Sequence, residues 1–540
     1  MTAFDNGASH LTLDFAGWYH PGADASRRPH RTKGYGMSPE TKRRITVLLL
    51  FLVAYTYVWH LGPADNPRSR EALIRAVADD GVLQIDRYHE TTIDKASYRG
   101  HYYSDKAVGA ALFGLPGYLL AKAIVREQAP ADVSNAQALG FLLATYTAAS
   151  IPSALLVLLL FVLLGRLVAS PGWRLLITVG YGLGTLAHPY SQLLYGHQLA
   201  AALCLLVFAL AFSVKERGAT VGRLVAGGLA AGFALITEYP SAIIIVICFI
   251  YLFKVADRRH RLWIPIAAAL PVISLQLWYN WQCFDNPFSF GYQYEEWSAF
   301  KTGMGQGFMG ITTPRLGALG GITFGLYRGL FILSPFLLMA IPGFVFWYRW
   351  VEWRREFWVA LSVVLAFLLL NSSYYMPYGG AGIGPRHLLP ALPFMALAIA
   401  FCRGRWRWLG VALAVVSIVA ISIPTLGGDP QADEELNLIS WRASSGFLGG
   451  HAQGAEASKL PGILRQALYN WQEDKVAFNH GIFVVTIFSP HGLYGRASLI
   501  PYALVWVLGI IAYFRCGRRR GSDRVPSPVA PEVGDHSQGG

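Results

Sequence analysis

Carboxylates and cations are interleaved between residues 63 and 107. Asp65, Asp79, Asp80, Asp86, Glu90, Asp94 and Asp105 alternate with Arg68, Arg70, Arg75, Arg87, Lys95, Arg99 and Lys106. A carboxylate beside basic groups can deprotonate an acceptor hydroxyl while the cations hold a phosphate leaving group. Any single acid in this set also fits a solvated surface ion pair. Within the stretch, Asn66 to Gly81 carries Leu73, Ile74 and Val77 at helical spacing, which predicts a short helix lying on a membrane. Next come Ile85-Asp86-Arg87-Tyr88, Ile93-Asp94-Lys95 and Gly100-His101-Tyr102-Tyr103-Ser104-Asp105-Lys106.

Two further polar clusters interrupt the apolar sequence. One runs from Asn280-Trp281 through Asp285-Asn286-Pro287-Phe288 to Gly291-Tyr292 and Tyr294-Glu295-Glu296, then to glycines 303, 305, 307 and 310, and closes at Tyr327-Arg328-Gly329. Asn-Pro signals a turn. The glycines imply a mobile or closely packed loop and are too irregular for a nucleotide fingerprint. The other cluster holds Tyr374-Tyr375, Tyr378-Gly379-Gly380 and Gly384-Pro385-Arg386-His387 just before an apolar run. Arg386 at a helix start suits an anion; it equally suits a snorkelling interfacial anchor. His387 alone fits a structural role. His188, Tyr190, Tyr195, His197 and Glu238 are weaker polar signals that suit a cavity lining, and the nine-residue step from His188 to His197 is not metal-ligand spacing.

The elements that must position these clusters are apolar helices. Residues of the AVILMFWYC set make up 54% of the 540-residue chain and charged residues only 14%, where soluble domains carry about 25% charged residues. Thirteen apolar runs follow: 45–62, 108–126, 137–165, 175–190, 195–213, 222–237, 240–254, 262–280, 329–347, 357–371, 386–402, 407–425 and 498–514. Most approach the length a helix needs to cross a bilayer. The net charge of +13 sits in short loops around Arg166–Arg174, Lys215–Arg223, Lys254–Arg261, Arg349–Arg355, Arg403–Arg407 and Arg515–Arg524. The positive-inside rule puts these loops in the cytoplasm, so topology rather than nucleic acid accounts for the charge. The alternation holds if 108–126 lies along the outer interface or re-enters instead of crossing. The expected fold is thus an all-α polytopic membrane protein with about 12 crossings and both termini cytoplasmic, in the cell inner (plasma) membrane.

The expected organisation is a basic arm at 1–44, a transmembrane core at 45–425 with outer loops 63–107, 281–328 and 372–385, an outer segment 426–497, a last transmembrane helix at 498–516, and a disordered tail at 517–540. Lys459 to Val476 fits an amphipathic surface helix. The first helix reads as a signal anchor. Of the five cysteines only Cys283 falls in an expected outer loop, and no disulfide or metal-ligand spacing emerges.

In layout, residues 45–425 resemble the GT-C class of integral-membrane glycosyltransferases, which includes the protein O-mannosyltransferases and the lipid A aminoarabinose transferase. Asn66-Pro67-Arg68-Ser69-Arg70 stands where that class begins its first outer loop with an acidic motif. Tyr103-Ser104-Asp105-Lys106-Ala107-Val108 stands where it has Lys-Pro-Pro-Leu, and Gly-Pro-Arg-His before a helix looks like bacterial members. The chain departs from the pattern in having Asn66 instead of an acid, with Asp65 adjacent, and in lacking both prolines.

The resemblance implies a polyprenyl-phosphate-linked sugar donor, inversion at the anomeric carbon, and a glycan, lipid or protein acceptor on the extracytoplasmic face. The base would come from the first outer loop, with Asp86 and Asp94 the candidates. Asp86 ranks first because Ile85 and Tyr88 can shelter it. Lys106, Arg328 and Arg386 would bind the donor phosphate, assisted by His101. Tyr103, Asp105, His197, Glu238, Tyr292, Glu295, Tyr378 and His387 would line the substrate cavity. No cofactor or metal site is required, and a divalent cation stays open. The alternatives are a transporter or flippase of a lipid-linked sugar, which would need charges within its helices, and a non-catalytic envelope-assembly scaffold.

Overall fold

The computed structural model describes residues 37–58, 65–125, 130–326, 328–380, 382–427 and 499–516. The arm up to residue 36, the expected surface helix Lys459–Val476 and the tail from Gly517 lie outside the described residues.

The chain opens with α1 (Pro39–Thr56), then α2 (Asp65–Arg75), the strands β1 (Lys95–Tyr98) and β2 (His101–Ser104), and α3 (Gly109–Ile124). Next come α4 (Pro130–Thr145), α5 (Ile151–Leu167), α6 (Pro171–Gly184), α7 (Ala187–Tyr190), α8 (Gly196–Arg217), α9 (Val221–Thr237), α10 (Ser241–Val255) and α11 (Trp263–Phe284). The series continues with α12 (Ser298–Met304), α13 (Leu316–Phe324), α14 (Leu330–Leu333), α15 (Ala340–Tyr348), α16 (Arg354–Ser373), α17 (Leu392–Ile399), α18 (Arg405–Gly427) and α19 (Leu499–Arg515). Among the described residues, five helical stretches are long and apolar enough to cross a bilayer: Ala136–Leu167, Gly196–Arg217, Arg259–Phe284, Val351–Ser373 and Arg405–Leu426. Shorter apolar helices accompany them, and large side chains such as Leu270, Val416 and Leu508 are exposed around the bundle. This is a multi-pass helical membrane protein.

Proline and backbone breaks divide several of the expected runs. Pro390, which has no N–H to donate, keeps Arg386–Ala391 in a 3-10 turn before α17 begins. The 329–347 run splits into α14, a 3-10 turn over Pro335–Met339, and α15. The 175–190 run ends α6 at an extended Thr185. In the other direction, α4 and α5 join through a π turn at Tyr146–Ser150. The helix of the 262–280 run extends a turn further than expected: α11 carries Trp281 and Cys283 and is capped by Asp285 in the αL conformation. The glycines beyond it are closely packed. A Cβ at Gly303 or Gly310 would sit 2.1 or 2.5 Å from the Tyr375 ring.

The two ends of the bundle differ in chemistry. In α8, His197 starts the helix and Lys215 and Arg217 end it. The 18-residue step from His197 to Lys215 spans about 27 Å. Basic residues also gather at the Lys215 end in Arg166 and Arg174, and the latter is buried with its guanidinium 2.8 Å from Glu40 Oε1 of α1. At the His197 end, α3 packs antiparallel along α4. A Cβ on Gly117 would meet the Leu143 carbonyl at 2.1 Å, and Gly140 faces Tyr118. These contacts lie more than 20 residues from Leu167, or over about 30 Å along the helix, so α3 flanks the stretch that overhangs a bilayer-thick span. Its Leu112, Leu119, Leu120 and Ile124 are exposed.

The segment between α2 and α3 is built on a hairpin. Arg99 and Gly100 both have positive φ, 51° and 84°. Two such residues between strands make a type I′ turn, whose twist matches the strands. This turn sets the register: Tyr98 pairs with His101 and Lys95 with Ser104. Arg99 Nη1 then clamps the turn to the end of α11 through Asp285 Oδ2 at 2.6 Å. The expected helix 66–81 is α2 followed by a π turn at Ala76–Asp80, and it ends at Gly81 with φ 69°.

Candidate active site

One step beyond the last strand pair, the hairpin register brings Asp94 opposite Asp105, and Lys106 follows immediately. Lys106 Nζ lies 3.0 Å from Asp94 Oδ2 and also bonds Asp105 Oδ2. All three side chains are buried. Asp105 Oδ1 accepts from Ser69 Oγ of α2 at 3.1 Å. Burial disfavours the Lys106 charge, but Asp105 and Asp94 outweigh it and hold the ammonium well above its ordinary value. Burial pushes the Asp94 carboxyl up, and Lys106 pulls against that shift.

The segment that follows α11 covers this group. Ala96 of β1 forms an isolated bridge with Glu295, which brings that carboxyl, only 4% exposed, against Asp105. Burial, reinforced by Asp105, pushes Glu295 up to about 10. The ring of Tyr292 faces Lys106 Nζ at 5.3 Å. Gly291 presses on the Asp105 backbone so closely that a Cβ would stand 2.6 Å from its Cα.

The helix ends supply the opposite wall. Arg70 of α2 donates to Glu238 Oε1 at 3.1 Å, and His197 Nδ1 lies 3.3 Å from the same oxygen. Gly196 makes room for this carboxylate, since a Cβ there would be 2.4 Å from Oε1. The His197 ring meets His387 at 5.2 Å, and His387 meets Tyr374 at 5.4 Å. Arg386 is buried, donates to the Tyr195 hydroxyl at 3.1 Å and stacks 4.7 Å above that ring. Arg328 bonds the Gly380 carbonyl. Gly379 and Gly380, with φ 82° and 81°, bend the chain around Arg386 in a conformation other residues rarely adopt. Tyr378 stands beside Gly321, 2.4 Å from where its Cβ would be.

The structure thus gathers Asp94, Asp105, Lys106, Glu295 and Tyr292 with Glu238, His197, His387 and Arg386; Arg328 and Arg386 both reach Gly380, and Tyr378 lies within the field of Arg328. Asp86 and His101 stand apart. Asp86 accepts from the Tyr102 backbone N–H at 2.7 Å and pairs with His101 Nδ1 at 2.7 Å, with the two side chains 44% and 52% exposed. His101 sits at the turn, four strand residues from Asp105, or about 13 Å along the hairpin. Ile85 and Tyr88 are both buried, yet neither covers the Asp86 carboxylate. Tyr103 packs edge-on against Phe284 at 5.5 Å and joins the hairpin to α11. Arg70 and Ser69 were not among the expected site residues. Arg70 shares the helical face of Leu73, Ile74 and Val77, and a cation on an apolar face was the signal available. Among the described residues no group of three or more His, Cys, Asp or Glu side chains is arranged to hold a metal ion.

No protein-family model matches the sequence, and no curated protein sequence matches it. The structure is similar to the crystal structure of ArnT from Cupriavidus metallidurans bound to undecaprenyl phosphate. The TM-score is 0.50 at 13% identity, over 88% of this chain and 76% of that one. The fold is that of the GT-C class. The apo state of the same ArnT aligns with a TM-score of 0.46 at 13% identity, over 88% of this chain and 74% of that one. In this GT-C fold the buried charges occupy loops and helix ends: Lys106 follows a hairpin, Glu238 caps α9, and Arg386 opens the turn before α17.

Proposed function

We propose that this protein is a membrane glycosyltransferase that moves a sugar from a polyprenyl-phosphate carrier to a hydroxyl of an acceptor on the extracytoplasmic face. The observation that carries this is Lys106, buried between two carboxylates of which Asp94 also feels the charge of Arg386, in a GT-C fold whose ArnT example binds undecaprenyl phosphate. A phosphate group offers Lys106 and Arg386 the anion they are built to meet, with Arg328 behind them.

In this mechanism Asp94 accepts the proton of the acceptor hydroxyl. The oxygen attacks the anomeric carbon from the face opposite the phosphate. The bond from carbon to phosphate oxygen breaks, and the carrier phosphate departs with both electrons. That phosphate gains one negative charge, which Lys106 and Arg386 stabilise where it develops. A carboxyl raised by burial is a better base near neutrality than an exposed one, which favours Asp94 over Asp86. The exposed apolar face of α3 suits the outer interface, so we assign it there, with the basic helix ends and both termini in the cytoplasm.

The test is transfer by purified full-length protein in nanodiscs, supplied with undecaprenyl-phosphate-linked sugars and extracted envelope acceptors. Release of undecaprenyl phosphate with matching sugar incorporation is expected. Folded protein that neither binds undecaprenyl phosphate nor consumes any such donor would overturn the assignment.

A further inference from the structure

The mechanism gives the buried carboxyl of Glu295 no task. Glu295 is 4% exposed, its Oε2 has no hydrogen-bond partner among the described residues, and its carboxyl is buried close to that of Asp105. Lys106 is already paired with Asp94 and Asp105, so a third ionised carboxylate buried beside them would have no donor and no counter-charge, which favours one proton on the pair. The other neighbours locate it. Asp105 receives Ser69 Oγ at 3.1 Å and the ammonium of Lys106, both of which favour an anion. Glu295 receives no such cation directly.

We infer that Glu295 is a positioning residue that works as a neutral acid, holding the shared proton to latch the second outer loop over Lys106. The loop is pinned on both sides of it. Gly291 presses on Asp105, Tyr292 faces Lys106, and Glu296 donates its N–H to the Lys95 carbonyl at 3.1 Å while its side chain pairs with Lys95 at 3.1 Å. The charged and titratable groups facing Glu295 are Asp94, Asp105 and Lys106 from the hairpin end and Tyr375 from the third outer loop. Ionised Glu295 would be a third carboxylate against one lysine and would push the loop away.

The proton also sets the charge of the pocket, and this part rests on the glycosyltransferase assignment. With Glu295 neutral, Lys106, Arg70, Arg328 and Arg386 stand against Asp94, Asp105 and Glu238. One positive charge is left over, the complement of a phosphodiester such as a lipid-linked sugar carries.

The test uses full-length protein in nanodiscs. The infrared difference between wild type and Glu295→Gln should show the carbonyl band of one protonated carboxylic acid at neutral pH, present only in wild type. Glutamine keeps a donor and the shape, so E295Q should bind undecaprenyl phosphate within about threefold of wild type, whereas E295A, which leaves Asp105 short of a donor, should bind about tenfold more weakly. Absence of the band, or equal damage from E295Q and E295A, overturns the inference. A band with no lipid-phosphate binding by wild type would leave the proton in place and remove the glycosyltransferase assignment.

Discussion

Asp94 and Asp105 stand across from each other where a short hairpin opens, and Lys106 Nζ, 3.0 Å from Asp94, closes the gap between them. Neither acid could be buried there without the lysine, and the lysine could not stay charged without the acids. The three define one electrostatic unit, and most tests of the site act on it.

Removing the cation should be the most damaging single change. Lys106→Ala leaves Asp94 and Asp105 facing each other unpaired, at a cost of about 3–5 kcal/mol in stability. Sugar transfer should fall at least about 100-fold, the scale of losing a charge-stabilising donor. Thermal unfolding and turnover in nanodiscs measure both. A variant as stable and as active as wild type would remove Lys106 from the site.

The two candidate bases separate cleanly. Asp94→Asn should lower the turnover number by about 10²–10⁴ while donor binding changes little. Asp86→Asn loses only an exposed pair with His101 and should stay within about 1 kcal/mol in stability and near wild type in rate. The reverse order of effects would move the base to the hairpin tip.

Arg386 combines a hydrogen bond to Tyr195 with a stack on its ring. Lysine cannot reproduce that planar geometry. Arg386→Lys should therefore raise the apparent Kd for undecaprenyl phosphate by about tenfold, the cost of about one charged hydrogen bond, and the stability should drop only modestly. Titration calorimetry in nanodiscs reads the affinity.

Glu295 gives the fold a pH dependence of known sign. Its carboxyl is raised from 4.5 to about 10, so between those values the folded protein holds a proton that the unfolded chain has lost. Its contribution is complete below the ordinary carboxyl value and is lost as pH rises towards about 10. Wild-type Tm should therefore fall between about pH 6 and about pH 9, and E295Q should flatten the slope. Equal slopes in both proteins would count against a protonated Glu295.

Composition and loop charge alone were enough for a polytopic helical membrane protein, because a bilayer demands long apolar helices and the basic loops repeat on one side. The polar clusters were legible as well, since a charge is costly in such a scaffold and each cluster interrupts an apolar run. What the linear sequence left open was which acids meet. Asp86 and Asp94 look alike in a string of loop residues, and only the I′ turn at Arg99-Gly100 makes Asp94 face Asp105 while Asp86 stays near the tip with His101. Arg70, Glu238, His197 and Glu295 come from four separate segments, and no local spacing relates them. Tertiary packing decided that they share one pocket, because the cost of burying each charge is met only by partners distant in the chain.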